Sequence, residues 1–214
     1  MSHRFEQIHD WLEENKPEVI LEVGTWNGHN AIKMMECSGA KKYIGFDVWE
    51  EGSDALDDAE FNAKKRVTKK EVEDLLKKQG FDFELIRGNT RVTLPEYVKD
   101  KKPFVDFVLI DGGHLTATVD SDFRSVTKIA KTTGHIFFDD YYFGVSVPNV
   151  GCNGVLAGVN APYTVMASID PVILNKEKQG HTMVAYLKMK DLQITDRWDV
   201  PEKESWSYSP EASD

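Results

Sequence analysis

Short apolar runs recur along this chain, and most of them stop at a carboxylate. Val19-Ile20-Leu21-Glu22-Val23, Tyr43-Ile44-Gly45-Phe46-Asp47, Phe83-Glu84-Leu85-Ile86, Val105 to Ile110 before Asp111, and His135-Ile136-Phe137-Phe138 before Asp139-Asp140 have the length of buried strands. They are almost continuously apolar rather than alternating, which suits strands covered on both faces, as in a parallel sheet. Segments of helical periodicity lie between them. These are Phe5, Ile8 and Leu12 after a Ser2 cap and before Pro17, then residues 30–37, 64–79 up to Gly80, 94–98, and 119–131 up to Gly134. Such alternation predicts an α/β fold, a doubly wound, mostly parallel seven-stranded sheet. Its terminal strands, Tyr163 to Ile169 and Thr182 to Lys188, lack a crossover helix between them, so the last is expected to run antiparallel. Residues 141–162 read as a loop or short helix over one sheet edge. Residues 1–198 read as one domain, with a polar tail at 199–214.

Charge then excludes partners. The 36 Asp and Glu against 26 Lys and Arg give a net charge of -10, which repels phosphate backbones and anionic membranes, so neither nucleic acid nor membrane is expected as a partner. No apolar stretch has the ~20 residues of a membrane span, and the polar start has no signal core, so a cytoplasmic protein is expected. Cys37 and Cys152 have neither metal-ligand spacing nor a disulfide-framework count and read as free thiols. A homo-oligomer is compatible with everything in the sequence.

In a doubly wound sheet, ligands bind outside the carboxyl ends of the strands. Glu22, Asp47, Asp111, Asp139 and Asp140 are therefore gathered along one sheet edge. For any one of them the plain alternative is a polar strand end or a helix cap. The first turn, Glu22-Val23-Gly24-Thr25-Trp26-Asn27-Gly28, has two glycines that let backbone approach a ligand. Its spacing is not that of a dinucleotide turn. With Asp47 placed to accept both hydroxyls of a ribose, the turn suggests a nucleoside ligand. Trp49 is a candidate to stack on adenine and Asn89 to bond its exocyclic amine; core packing is the alternative for the tryptophan. The acidic stretch from Glu50 to Asp54 with Asp57-Asp58 is either a cover over the acceptor site or a solvated face. Tyr141-Tyr142-Phe143-Gly144 either lines an acceptor pocket or packs as a plain loop.

These residues resemble the class I S-adenosylmethionine-dependent methyltransferases from Val19 to about Lys188, with Trp26 at the family's middle glycine. Gly88-Asn89 with Thr93-Leu94-Pro95, Ile110-Asp111-Gly112-Gly113-His114 and Phe138-Asp139-Asp140-Tyr141 are similar to the metal-dependent, macrocin-type sugar O-methyltransferases. The resemblance implies the Rossmann-like methyltransferase fold, S-adenosylmethionine as cofactor, and Mg²⁺ or another divalent cation held by Asp111, Asp139 and Asp140. Strand spacing is compatible with this, since neighbouring strands ~4.8 Å apart bring their terminal carboxylates to one hard cation. Successive strand residues face opposite sides, so Asp139 and Asp140 can both serve only if the strand bends there; otherwise one caps a helix. By the same resemblance His114, three residues past Asp111, takes the hydroxyl proton, with Asp111 also catalytic; the alternative is a histidine that merely supports Asp111 or a substrate hydroxyl. His9, His29, His135 and His181 have no such context. The expected activity is Mg²⁺-assisted O-methylation of a sugar or other polyhydroxylated small molecule. Alternatives are a metal-free class I N- or C-methyltransferase, a Rossmann-type NAD(P)-dependent nucleotide-sugar oxidoreductase, and a non-catalytic nucleoside-binding module.

Overall fold

The structure, a computed structural model, describes residues 3–53, 55–56, 60, 66–145, 147–174 and 177–193. Ser2, the first residues expected of the 64–79 helix, Asp54, Asp57-Asp58 and the 199–214 tail lie outside the described residues. The strands are β1 (Val19–Val23), β2 (Lys42–Asp47), β3 (Phe83–Arg87), β4 (Val105–Ile110), β5 (Ala130–Phe143), β6 (Tyr163–Met166), β7 (Pro171–Leu174) and β8 (Glu177–Lys188). The helices are α1 (His3–Asn15), α2 (His29–Ser38), α3 (Lys69–Gln79), α4 (Thr90–Val98), α5 (Thr116–Val126) and α6 (Asn153–Gly158). Sheet order is β3-β2-β1-β4-β5-β8-β6. β1 to β5 are parallel, β8 runs antiparallel to β5, and β7 adds an unexpected strand on β8.

Alternation along each strand divides the core in two. Leu21, Val23, Ile44, Phe46, Val108, Ile110, Ile136 and Phe138 face one side. Ile20, Tyr43, Phe107, Leu109 and Phe137 face the other, where Ile8 and Leu12 of α1 and Met34 of α2 cover them. Each fully buried aliphatic side chain contributes about 2 kcal/mol by leaving water.

Several boundaries differ from the expectation, as at α4, which starts at Thr90 rather than Leu94, and β5, which runs from Ala130 to Phe143. α3 starts at Lys69, after a Thr68–Glu71 capping box. α5 ends at Val126 rather than Lys131, because Ile129 and Ala130 are buried in the core and Ile129 accepts the N–H groups of Phe104 and Val105. Gly134 consequently falls inside β5, where the register against β4 passes from Val105↔Ala130 to Phe107↔His135 and residues 131–134 bulge out. Among the described residues, no helix is long and apolar enough to cross a membrane.

Candidate active site

β1 lies between β2 and β4, so the chain winds away in opposite directions from the β1/β4 pair. A ligand crevice is expected at that switch point, and a cleft open to solvent lies there. Its wall includes Gly24, Trp26, Asp47, Trp49, Asn89, Asp111 and Glu60. Gly24 has φ 94°, and a Cβ there would sit 1.8 Å from the Asp111 carbonyl oxygen, so only glycine lets the β1 turn press against the end of β4.

Trp26 stands where the resembling family has glycine, and it adopts a glycine-like φ of 46°. Such a conformation costs a bulky residue of order 1 kcal/mol or more. Offsetting contacts surround it: its N–H donates to Asp47 Oδ2 at 2.7 Å, and its carbonyl accepts from the Trp49 indole at 2.8 Å. Asp47 Oδ1 accepts the Trp49 N–H at 2.9 Å. A carboxylate accepts about four hydrogen bonds, so bracing the turn is compatible with accepting ribose hydroxyls. Trp49 is buried in the core beside the cleft and thus packs as well as lines. Asn89 caps α4 through Oδ1, which accepts the Arg91 N–H at 3.0 Å.

The other residues of the turn lie behind this wall. Glu22 is buried, and its two oxygens accept from Tyr43 Oη and from Asn30 Nδ2. Thr25 bonds the same tyrosine at 2.8 Å, and His9 of α1 bonds Asn30 at 2.9 Å. Burial, followed by the charge of Glu22, holds the Tyr43 hydroxyl well above its ordinary pKa. Asn27 accepts the His29 N–H, and Gly28 starts α2 at φ 76°.

Asp111 lines the cleft and also belongs to a second group. One ligand atom from each of Asp111, Asp139 and Asp140 falls within 4.8 Å of the others. The bend that this convergence needs is present. Asp140 has φ 56°, and Phe138↔Ala185 gives way to Tyr141↔Met183, so Asp139 and Asp140 together face a single residue of β8. This is a β-bulge, and it turns both carboxylates to one side. Gly151-Cys152 braces it, since the Gly151 N–H donates to the His114 carbonyl and the Cys152 N–H to the Asp140 carbonyl.

His114 Nδ1 lies 2.7 Å from the Glu60 carbonyl, an acceptor only, so that nitrogen carries the hydrogen. Nε2 faces Asp140 Oδ2, another acceptor, at 3.2 Å, a pairing that forms only while Nε2 holds a proton, so Nε2 is the ring atom that releases and takes up a proton. The Glu60 carboxylate accepts from the Leu115 N–H and the Thr118 hydroxyl, tying Glu60 to the start of α5.

Two neighbours of the candidate site escaped the sequence. Glu60 is one, and the other is Arg4, whose Nε and Nη2 donate to both oxygens of the buried Asp139 at 2.6 and 3.0 Å. Burial disfavours the charge on Arg4, but Asp139, with Asp111 and Asp140 behind it, outweighs burial and raises the guanidinium pKa. The oxygen-only donor set suits a hard divalent cation.

Solved structures share the fold. TomG from Streptomyces achromogenes, an O-methyltransferase involved in tomaymycin synthesis and solved with S-adenosylmethionine, is 17% identical over 86% of this chain and 78% of its own, with TM-score 0.58. An rRNA methylase from Streptococcus thermophilus is 16% identical over 90% of this chain and 99% of its own, with TM-score 0.58. An O-methyltransferase from Bacillus cereus in complex with S-adenosylhomocysteine is 15% identical over 86% and 80%, with TM-score 0.56. No curated protein matches the sequence. A family model described as a methyltransferase domain matches residues 21–141, more than half of the chain, so the protein belongs to that methyltransferase family.

Proposed function

We propose that the protein methylates a hydroxyl of a small polyhydroxylated acceptor, such as a sugar, with a divalent cation at Asp111, Asp139 and Asp140. The observation that carries this reading is the acid cluster itself, which opens onto the cofactor cleft through Asp111. The O-methyltransferases among the structural neighbours support the choice of oxygen as acceptor atom. Family membership removes the hydride-transfer alternative.

S-adenosylmethionine supplies an electrophilic methyl group, and a divalent cation supplies Lewis acidity toward an acceptor hydroxyl. The chain's own residues do the rest. Asp47 and the Gly24–Trp26 turn orient the cofactor, Asp111 aligns the acceptor with the cleft, and His114 Nε2 receives the hydroxyl proton while its Nδ1–H is held by Glu60. Holding both reactants in line is worth several kcal/mol of barrier. Net charge -10 supports a small-molecule acceptor over nucleic acid.

A second reading is favoured by Arg4, which already neutralises part of the cluster: a metal-free methyltransferase acting on nitrogen or carbon. Methyl transfer to a panel of sugars, with and without EDTA, separates the two. The chelator is expected to depress turnover at least ~100-fold, and full activity in its presence removes the cation. His114→Gln is expected to lower turnover ~10²-fold or more while leaving S-adenosylmethionine affinity within about twofold. Unchanged turnover would return His114 to a supporting role.

A further inference from the structure

We propose that Arg4 is a built-in counter-cation of the acid cluster, competing with a divalent ion for Asp139, and that Asp170 is the carboxylate that receives it when the ion enters. This rests on the reading of Asp111, Asp139 and Asp140 as a cation site. Its geometry is independent of that reading. The Arg4 fork engages both oxygens of Asp139, a side chain only 2% exposed. A hard cation needs those same oxygen lone pairs. Removing the arginine outright would strand a buried carboxylate, and taking it to water would forfeit its burial.

The second partner is already in place. Asp170, at the turn between β6 and β7, accepts the N–H groups of His3 and Arg4 at 3.1 and 3.0 Å and lies 3.6 Å from Arg4 Nη1. The guanidinium therefore stands between two carboxylates and can pass from one to the other by side-chain rotation, with the first turn of α1 held throughout. Arg4 acts here as a positioning residue, setting how readily Asp139 is available to the ion.

Mn²⁺ titrated into the full-length protein and followed by electron paramagnetic resonance tests this. Arg4→Met removes one unit of charge beside the site and is expected to tighten Mn²⁺ binding about tenfold or more, whereas Asp170→Asn, which removes the receiving charge, is expected to weaken it several-fold. Equal or weaker binding in Arg4→Met overturns the competition. Should Arg4→Met fail to fold, the native chain supplies the second measurement. Its Arg4 Nε–H resonance, assigned by its loss in Arg4→Lys, is expected to shift on Mg²⁺ saturation, and an unmoved resonance also overturns the proposal. Absence of Mn²⁺ binding in both the native chain and Arg4→Met overturns the cation site itself, an outcome distinct from binding that ignores Arg4.

Discussion

Asp122 shows how costly a single side chain can be. It is fully buried on α5, and neither oxygen has a hydrogen-bond partner among the described residues. Burial pushes its pKa from 3.8 up to about 7; Thr90 and Arg91 ease the charged form, and Glu60 opposes it. A folded-state pKa above the unfolded one means that the native state holds the proton more tightly. Its stabilising effect is complete below pH 4 and is lost as pH rises through 7, a change of about 4 kcal/mol. Asp122→Asn has no such titration, so its stability relative to the native chain is expected to rise between pH 4 and pH 8 in denaturant unfolding. Parallel profiles would mean that Asp122 is solvated. At this scale Asp47, Asp111, Asp139 and Asp140 were legible because they terminate apolar runs. Arg4 and Glu60 were not, because their partners lie 135 and 54 residues away and nothing local marks them.

Elements are where local rules competed. The Thr68–Glu71 capping box sets the start of α3 at Lys69, later than the start at residue 64 that periodicity suggested. Between Val126 and His135 helical periodicity lost to burial of Ile129 and Ala130, a tertiary preference that periodicity cannot report. The bulge at Asp139-Asp140 was legible only as a condition, because whether a strand bends depends on its partner, here β8. The brace behind the bulge can be tested from a distance. Gly151 has φ 79°, and a Cβ there would fall 2.3 Å from the Asp140 carbonyl oxygen. Gly151→Ala is therefore expected to cost about 2 kcal/mol or more in unfolding free energy. It should also weaken Mn²⁺ binding at least tenfold, although the residue contributes no ligand. Retained affinity would show that the bulge stands without its brace.

For the molecule as a whole, alternating strands and helices fixed the doubly wound architecture, and the acids at successive strand ends fixed which edge carries the site. The added β7 was hidden because its pairing with β8 depends on a return of the chain that hydropathy does not encode. The close seating of Gly24 on the Asp111 carbonyl has a thermodynamic corollary at this scale. The turn that lines the cleft and the strand end that carries Asp111, the proposed cation ligand, share one contact surface, so a shift of one presses on the other. Occupancy of the two should be linked reciprocally: whatever factor Mg²⁺ contributes to S-adenosylmethionine affinity, S-adenosylmethionine must return to Mg²⁺. Calorimetric titration of each in the presence of the other is expected to give the same factor, above unity, and Gly24→Ala to reduce it along with both affinities. Independent binding would mean that the two halves of the site merely share an address.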